Sequence, residues 1–409
     1  MRMMTGYEWK KVFSRRGGKI ALLLLAMTTA VVCWFSCSVS YVDETGVAKS
    51  GFLAVAKLRA QTKEWAGILD EDKIRQVIAE NKRITQSAQY LSEDVTENNM
   101  AYHRTQAIQG IRDLLNSSYA EGFRSYDYYR ANKLGEEDAP QFYGNRAALL
   151  GEWLRGEARD QFSEEEKTYL MERYESQETP FFYDYVEGWS RLFEYAPAIV
   201  MITMLILGYL VAGIFSCEFT WKSDAIFFSS IYGRNRATAA KLRAGFGIVT
   251  LVYFVVMLTY SAVTLLYLGA DGWNCPIQII RWKSFYQLEV WQEYLLILTG
   301  GYIGCLFMSF LGMLVSAKTK SAVIAVTVPF VLIFLPSFLM NIDNPVINRV
   351  ICLLPDQLLQ IGTALGYFSL YSLGGRIVGA VPILIVLYTA LAVVLMPVVY
   401  LVYGRRQVG

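Results

Sequence analysis

The chain has 409 residues, 54% of them hydrophobic, and a mean hydropathy of +0.30, more apolar than an ordinary soluble chain. A net charge of only +2 leaves no global field to attract nucleic acid, and no nucleic-acid partner is expected. One histidine, His103, and six cysteines without a CxxC pair argue against a zinc centre or a disulfide framework, and no cofactor is expected.

Residues 1–19 carry Arg2, Lys10, Lys11, Arg15, Arg16 and Lys19 against one acid, Glu8, with Tyr7, Trp9, Val12 and Phe13 near helical spacing. That pattern predicts a cytoplasmic amphipathic helix at the membrane interface, with Trp9, Lys10, Lys11 and Phe13 as its interfacial residues. Residues 20–42 form the first span, too long for a signal-peptide core and lacking a small-residue cleavage site, so it reads as an uncleaved anchor. Residues 43–194 contain no spanning run and read as a helical domain. Ile74, Val77, Ile78, Ile84 and Leu91 fall at helical intervals, as do Ile108, Ile111, Leu114 and Leu115. Ser163 and Glu166 predict a capping box. The aromatic group Tyr126, Tyr128, Tyr129, Phe181, Phe182, Tyr183 and Tyr185 reads either as a binding face or as packing.

Residues 195–409 hold the remaining spans: about 195–217, 244–268, 294–316, 321–340 and 377–403. Gly300, Gly301, Gly304 and Gly312 predict close helix contact, and Pro329 and Pro336 a kink. Residues 341–376 are too broken to span and predict short helices resting on the outer surface or dipping into it. Basic clusters at 1–19, 222–243, 318–320 and 405–406 share one face if six spans are drawn with both termini inside, which places residues 43–194 outside. In that topology Cys275 and Cys352 both lie outside, where a disulfide between them is open. The fold class expected is an all-α integral membrane protein of six transmembrane helices with a helical extracellular domain between the first two.

Loop 218–243 is the most informative stretch. Glu218, Lys222, Ser223, Asp224, Arg234, Arg236, Lys241 and Arg243 surround the apolar residues Ile226, Phe227, Phe228 and Ile231. A solvated turn needs no such apolar face, so the loop predicts a short amphipathic element on the membrane surface or docked into a partner. Enzyme readings lack their residues: there is no GxxxxGK[ST], HExxH or GxSxG motif. The spans also lack the mid-membrane charges on which coupled carriers rely. If the chain moves a substrate, the energy comes from another subunit.

Six spans, the amphipathic leading helix and the run CEFTWKSDAIFFSSIYGRNRATAAK together resemble the membrane subunit of a type-2 ABC exporter. In that family a Glu after span two precedes a Gly-Thr pair, an apolar coupling helix, an Arg and a Lys. Glu218, Ser223, Arg234 and Lys241 occupy matching places, whereas Lys222 replaces the Gly, and Tyr232 and Gly233 replace the Pro before the Arg. The resemblance covers residues 1–42 and 195–409 in outline; residues 43–194 are an insertion. It implies a non-enzymatic permease in a plasma membrane of bacterial type, paired with a cytoplasmic ABC ATPase and with a second, identical or sibling, permease. Loop 218–243 would dock on the ATPase, with Glu218, Arg234 and Lys241 fixing it there by ion pairs. The cargo implied is amphiphilic: a lipid, peptide or drug. An anchored extracellular sensor or binding module is the other reading of residues 43–194.

Overall fold

The computed structural model describes residues 2–339 and 345–405. Helix α1 (Arg2–Ser14) is separated by Arg15 from α2 (Arg16–Ser36). Next come α3 (Phe52–Lys63), α4 (Glu71–Thr85), α5 (Val95–Ser118), α6 (Phe142–Arg155) and α7 (Glu164–Glu175). The rest of the chain forms α8 (Glu187–Thr220), α9 (Asp224–Ser229), α10 (Thr238–Leu268), α11 (Val290–Thr319), α12 (Ala322–Leu339), α13 (Pro345–Ile351), α14 (Ile361–Ala364) and α15 (Ala380–Gly404). The fold is mostly helical, and five helical stretches are long and apolar enough to cross a membrane: α2, α8, Gly233–Leu268 with α10, α11 and α15. Helix α12, which carries Pro329 and Pro336, contributes a shorter apolar stretch, Ala322–Pro336, among the described residues.

Helices α8, α10 and α11 begin and end outside their apolar runs, because the backbone ladder continues through polar residues such as Glu187 and Gln292. The first span is shorter than expected. It stops at Ser36 because Ser40–Val42 (β1) pairs with Ala48–Ser50 (β2), and Val42 N–H donates to Gln106 Oε1 at 3.1 Å. Two further strand pairs depart from the all-α expectation: Gly67–Ile68 (β3) with Phe182–Tyr183 (β4), and Leu370–Leu373 (β5) with Arg376–Gly379 (β6). Residues 341–344 and Arg406, parts of two sequence expectations, lie outside the described residues.

The bundle has two chemically different ends. At one, the loop between α10 and α11 meets residues 43–186 and the segment before α15. Arg146 donates to Trp282 O at 3.1 Å and Ser284 O at 2.7 Å, Ser284 Oγ donates to Leu365 O at 2.8 Å, and Arg349 pairs with Glu166 at 3.0 Å. We call this the domain end. Its apolar core is continuous with the bundle: Ile74, Ile78, Ile108 and Ile111 belong to the same buried cluster as Ile199, Tyr253 and Met308. At the other end, α1, the α8–α10 connection, Lys320 and Tyr403 converge, and Lys320 Nζ lies 5.3 Å from the Phe219 ring centre. We call this the basic end.

Several local expectations hold. Ser163 and Glu166 form the capping box, with reciprocal bonds of 3.2 and 2.9 Å. Gly301 and Gly304 permit close contact, since a Cβ would fall 2.5 Å from the Tyr253 hydroxyl or 2.9 Å from Met204. Of the intervals in α4, Ile74, Val77, Ile78 and Ile84 are buried, while Leu91 lies beyond the helix and is exposed. In the segment before α15, Leu358 packs against Gly304, midway along α11. Cys275 and Cys352 are unpaired, and burial pushes the Cys275 thiol up to about 12. His103 bonds Gln61 at 3.1 Å and the Val42 carbonyl at 2.8 Å, an ordinary structural role.

Candidate partner-docking site at the basic end

The site starts where α8 must turn back. Lys222, with φ +54°, supplies the left-handed turn, a conformation that Gly adopts most readily. Ser223 N–H then donates to Glu218 O at 2.9 Å and α9 begins at Asp224. The helix is only one and a half turns long, so the four apolar residues do not share one face. Phe228 is buried, its ring centre 5.1 Å from that of Tyr403 and 6.1 Å from that of Phe219 in tilted contacts and 5.2 Å from that of Phe227 edge-on. Ile226 is 75% exposed and Ile231, beyond the end of α9, is 88% exposed. The expected apolar face thus splits into an inward aromatic key, Phe227 and Phe228, and an outward pair, Ile226 and Ile231.

Arg234 clamps the key. Its Nε–H donates to Phe228 O at 3.1 Å and its guanidinium lies 5.9 Å from the Phe228 ring centre. Gly233 is required here, because a Cβ would sit 1.8 Å from Phe227 O. A shallow recess of about 430 Å³ lies between Ala225, Ile226, Phe228, Ser229 and Arg234. Trp221 and Tyr232 extend the exposed apolar surface beside it, with the Arg236 guanidinium 4.6 Å over the Tyr232 ring.

The ion pairs expected at a partner interface lie inside instead. Lys241, fully buried, donates from Nζ to Glu218 Oε1 at 2.7 Å and to Ile214 O at 2.5 Å, and lies 3.6 Å from Glu8 Oε2. Lys11 Nζ bonds Glu8 Oε1 at 2.6 Å and approaches Glu218 Oε1 at 3.5 Å. Tyr403 donates its hydroxyl to Glu218 Oε2 at 3.1 Å. Two lysines and two glutamates therefore balance in a knot that joins α1, α8, α10 and α15. Buried charges behave this way because an unpaired one is expensive to desolvate. Burial works against the Lys11 ammonium, but Glu8 and Glu218 hold its pKa above the ordinary lysine value.

The residues assigned to the membrane interface divide similarly. Lys10 is exposed. Lys11 belongs to the knot, and Trp9 packs on α10, where a Cβ at Gly247 would approach its ring to 2.8 Å. Phe13 stacks edge-on against Trp9 at 5.8 Å. Sequence reasoning missed Glu8 and Tyr403. The one available signal was Glu8 itself, a single acid in a basic run.

Phe228 and Arg234 tie α9 to the ends of α8, α10 and α15, and the charge knot holds those ends together. No protein-family model, curated protein or solved structure matches the chain.

Proposed function

We propose that the chain is the membrane permease subunit of an ATP-driven exporter, with α12 as a sixth crossing and the basic end in the cytoplasm. The observation that carries this is the connection between α8 and α10: two exposed isoleucines, Ile226 on α9 and Ile231 just beyond it, flank a buried aromatic key. The concentration of Lys and Arg at that end supports its cytoplasmic side. The chain has no phosphate-binding loop, so ATP is hydrolysed on a separate ATPase that grips Ile226 and Ile231. Apolar span interiors favour an amphiphilic, lipid-like, peptide or drug cargo, and a second permease, identical or sibling, completes the path.

The test is co-purification of the tagged chain from its native membrane, with an ATPase assay and mass identification. A nucleotide-binding subunit is expected, retained by wild type and lost from the Ile226→Asp/Ile231→Asp double variant. Arg234→Glu is expected to abolish transport while the protein still folds. Normal transport by Arg234→Glu, or an ATPase retained by the double variant, overturns the docking assignment.

A further inference from the structure

At the domain end, where α5 passes the first turn of α8, a cavity of about 360 Å³ opens between α3, α5 and the chain leaving α2. That volume suits a small organic molecule. Tyr102, Tyr183 and Tyr185 form an aromatic wall, and Asp113 supplies a carboxyl group. Gly110 lets Tyr183 lie against α5, since a Cβ there would sit 2.3 Å from its hydroxyl. Val39, Leu58 and Val186 give the cavity an apolar margin where it meets the spans.

The cavity is short of positive charge. Asp113 Oδ1 accepts from Gln109 Nε2 at 2.7 Å and from the Tyr126 hydroxyl at 2.9 Å, so both bonds fall on one oxygen. Burial pushes the Asp113 carboxyl up, offset in part by those two bonds and by Arg112. Arg112 does not pair with it directly: its guanidinium is committed to Gln109, Tyr128 O and Asn132. The arginine on the wall itself, Arg191, is held by Glu187, also on the wall, at 2.8 Å and by Glu194 at 3.2 Å. Tyr185, 2% exposed, has a hydroxyl with no partner among the described residues. A partly desolvated carboxylate beside aromatic rings matches one chemistry well, an organic cation.

We propose that this cavity binds the ammonium head of a cationic or zwitterionic amphiphile, with Asp113 as counter-ion and the three tyrosines as its wall. The tail follows Val39, Leu58 and Val186 toward the bundle. The inference concerns binding alone and does not require an ATPase partner, so it stands or falls separately from the exporter reading.

The test titrates octyltrimethylammonium into the full chain in maltoside micelles, followed by calorimetry. Saturable binding is expected, weakened about tenfold or more by Asp113→Asn, as loss of a desolvated counter-ion implies. Asn keeps an Oδ1 that accepts from Gln109 and Tyr126, so the fold is retained. Tyr102→Ala, at a partly exposed ring, is expected to weaken binding severalfold, and Asp72→Asn, exposed on α4 and outside the cavity lining, to leave it unchanged. Displacement by phosphatidylcholine but not by phosphatidylglycerol assigns the head to a lipid. No displacement by either assigns it to a free amphiphile, and both outcomes support the ammonium site. Absent saturable binding, equal affinity in Asp113→Asn, or equal competition by uncharged octyl glucoside overturns it.

Discussion

Each end of the bundle holds a buried carboxylate, and the two are treated very differently. At the basic end both oxygens of Glu218 are engaged, Oε1 by Lys241 and Lys11 and Oε2 by Tyr403. At the domain end Glu293, also fully buried, meets Arg281 through Oε1 at 2.6 Å, and its Oε2 has no partner among the described residues. The first arrangement joins four helices; the second ties one loop to the start of α11. A saturated network of charges fixes geometry, whereas a single pair with an orphaned oxygen holds position with less redundancy. The end proposed to receive a mechanical load is the over-determined one.

The largest expected effect comes from cutting the saturated network. Lys241→Met leaves two buried carboxylates, Glu8 and Glu218, to share the Lys11 ammonium, and a loss of about 3–5 kcal/mol is expected from thermal unfolding in detergent. Replacing Glu218 and Lys241 together by Leu and Met removes the uncompensated charge and is expected to recover most of that loss. A double variant as unstable as the single one contradicts the network reading. Glu293→Gln at the domain end is expected to cost less, about 1–2 kcal/mol, because Arg281 is partly exposed and finds water. Equal losses at the two ends erase the contrast.

Smaller still are the effects of the outward residues. Ile226→Asp and Ile231→Asp are expected to change stability by no more than about 0.5 kcal/mol each, since neither is buried. Phe228→Ala, by contrast, empties the aromatic key and is expected to cost about 3 kcal/mol. The same unfolding measurement separates the two classes, and a large loss from Ile231→Asp would mean that the outward pair is structural. The smallest effect belongs to Asp113. Its carboxyl sits above the ordinary aspartate range, so the folded state favours the protonated form and this group's stability contribution is lost as pH rises through the raised value. Asp113→Asn is expected to flatten that pH dependence while changing stability at low pH by less than about 0.5 kcal/mol.

Much of the architecture was legible because apolar runs and capping residues are local signals. The five spanning stretches, the Ser163–Glu166 box and the close contacts at Gly301 and Gly304 all follow from residue type and spacing. The short strand pairs were not legible, because two to four residues each leave no period-2 pattern to read. The aromatic group of residues 126–185 divided for a similar reason: Phe181, Tyr183 and Tyr185 are buried, while Tyr126, Tyr128 and Tyr129 are exposed. Burial depends on what lies opposite, and composition does not record that.

By itself the sequence determined where helices form, which of them are apolar enough for a membrane, and which loop carries an apolar face among charges. Hydropathy and helical period act within a few turns, so one strand of text contains them. Only the tertiary structure decided that Glu218 and Lys241 look inward to Glu8, Lys11 and Tyr403, that the α8–α10 connection splits its apolar residues between key and surface, and that Asp113 sits among tyrosines without a direct ion pair among the described residues. Those partners are far apart in the chain: Lys11 lies 207 residues from Glu218, and Tyr403 lies 185 residues from it. Charge pairing over such separations is set by how helices pack, and packing is a property of the whole chain.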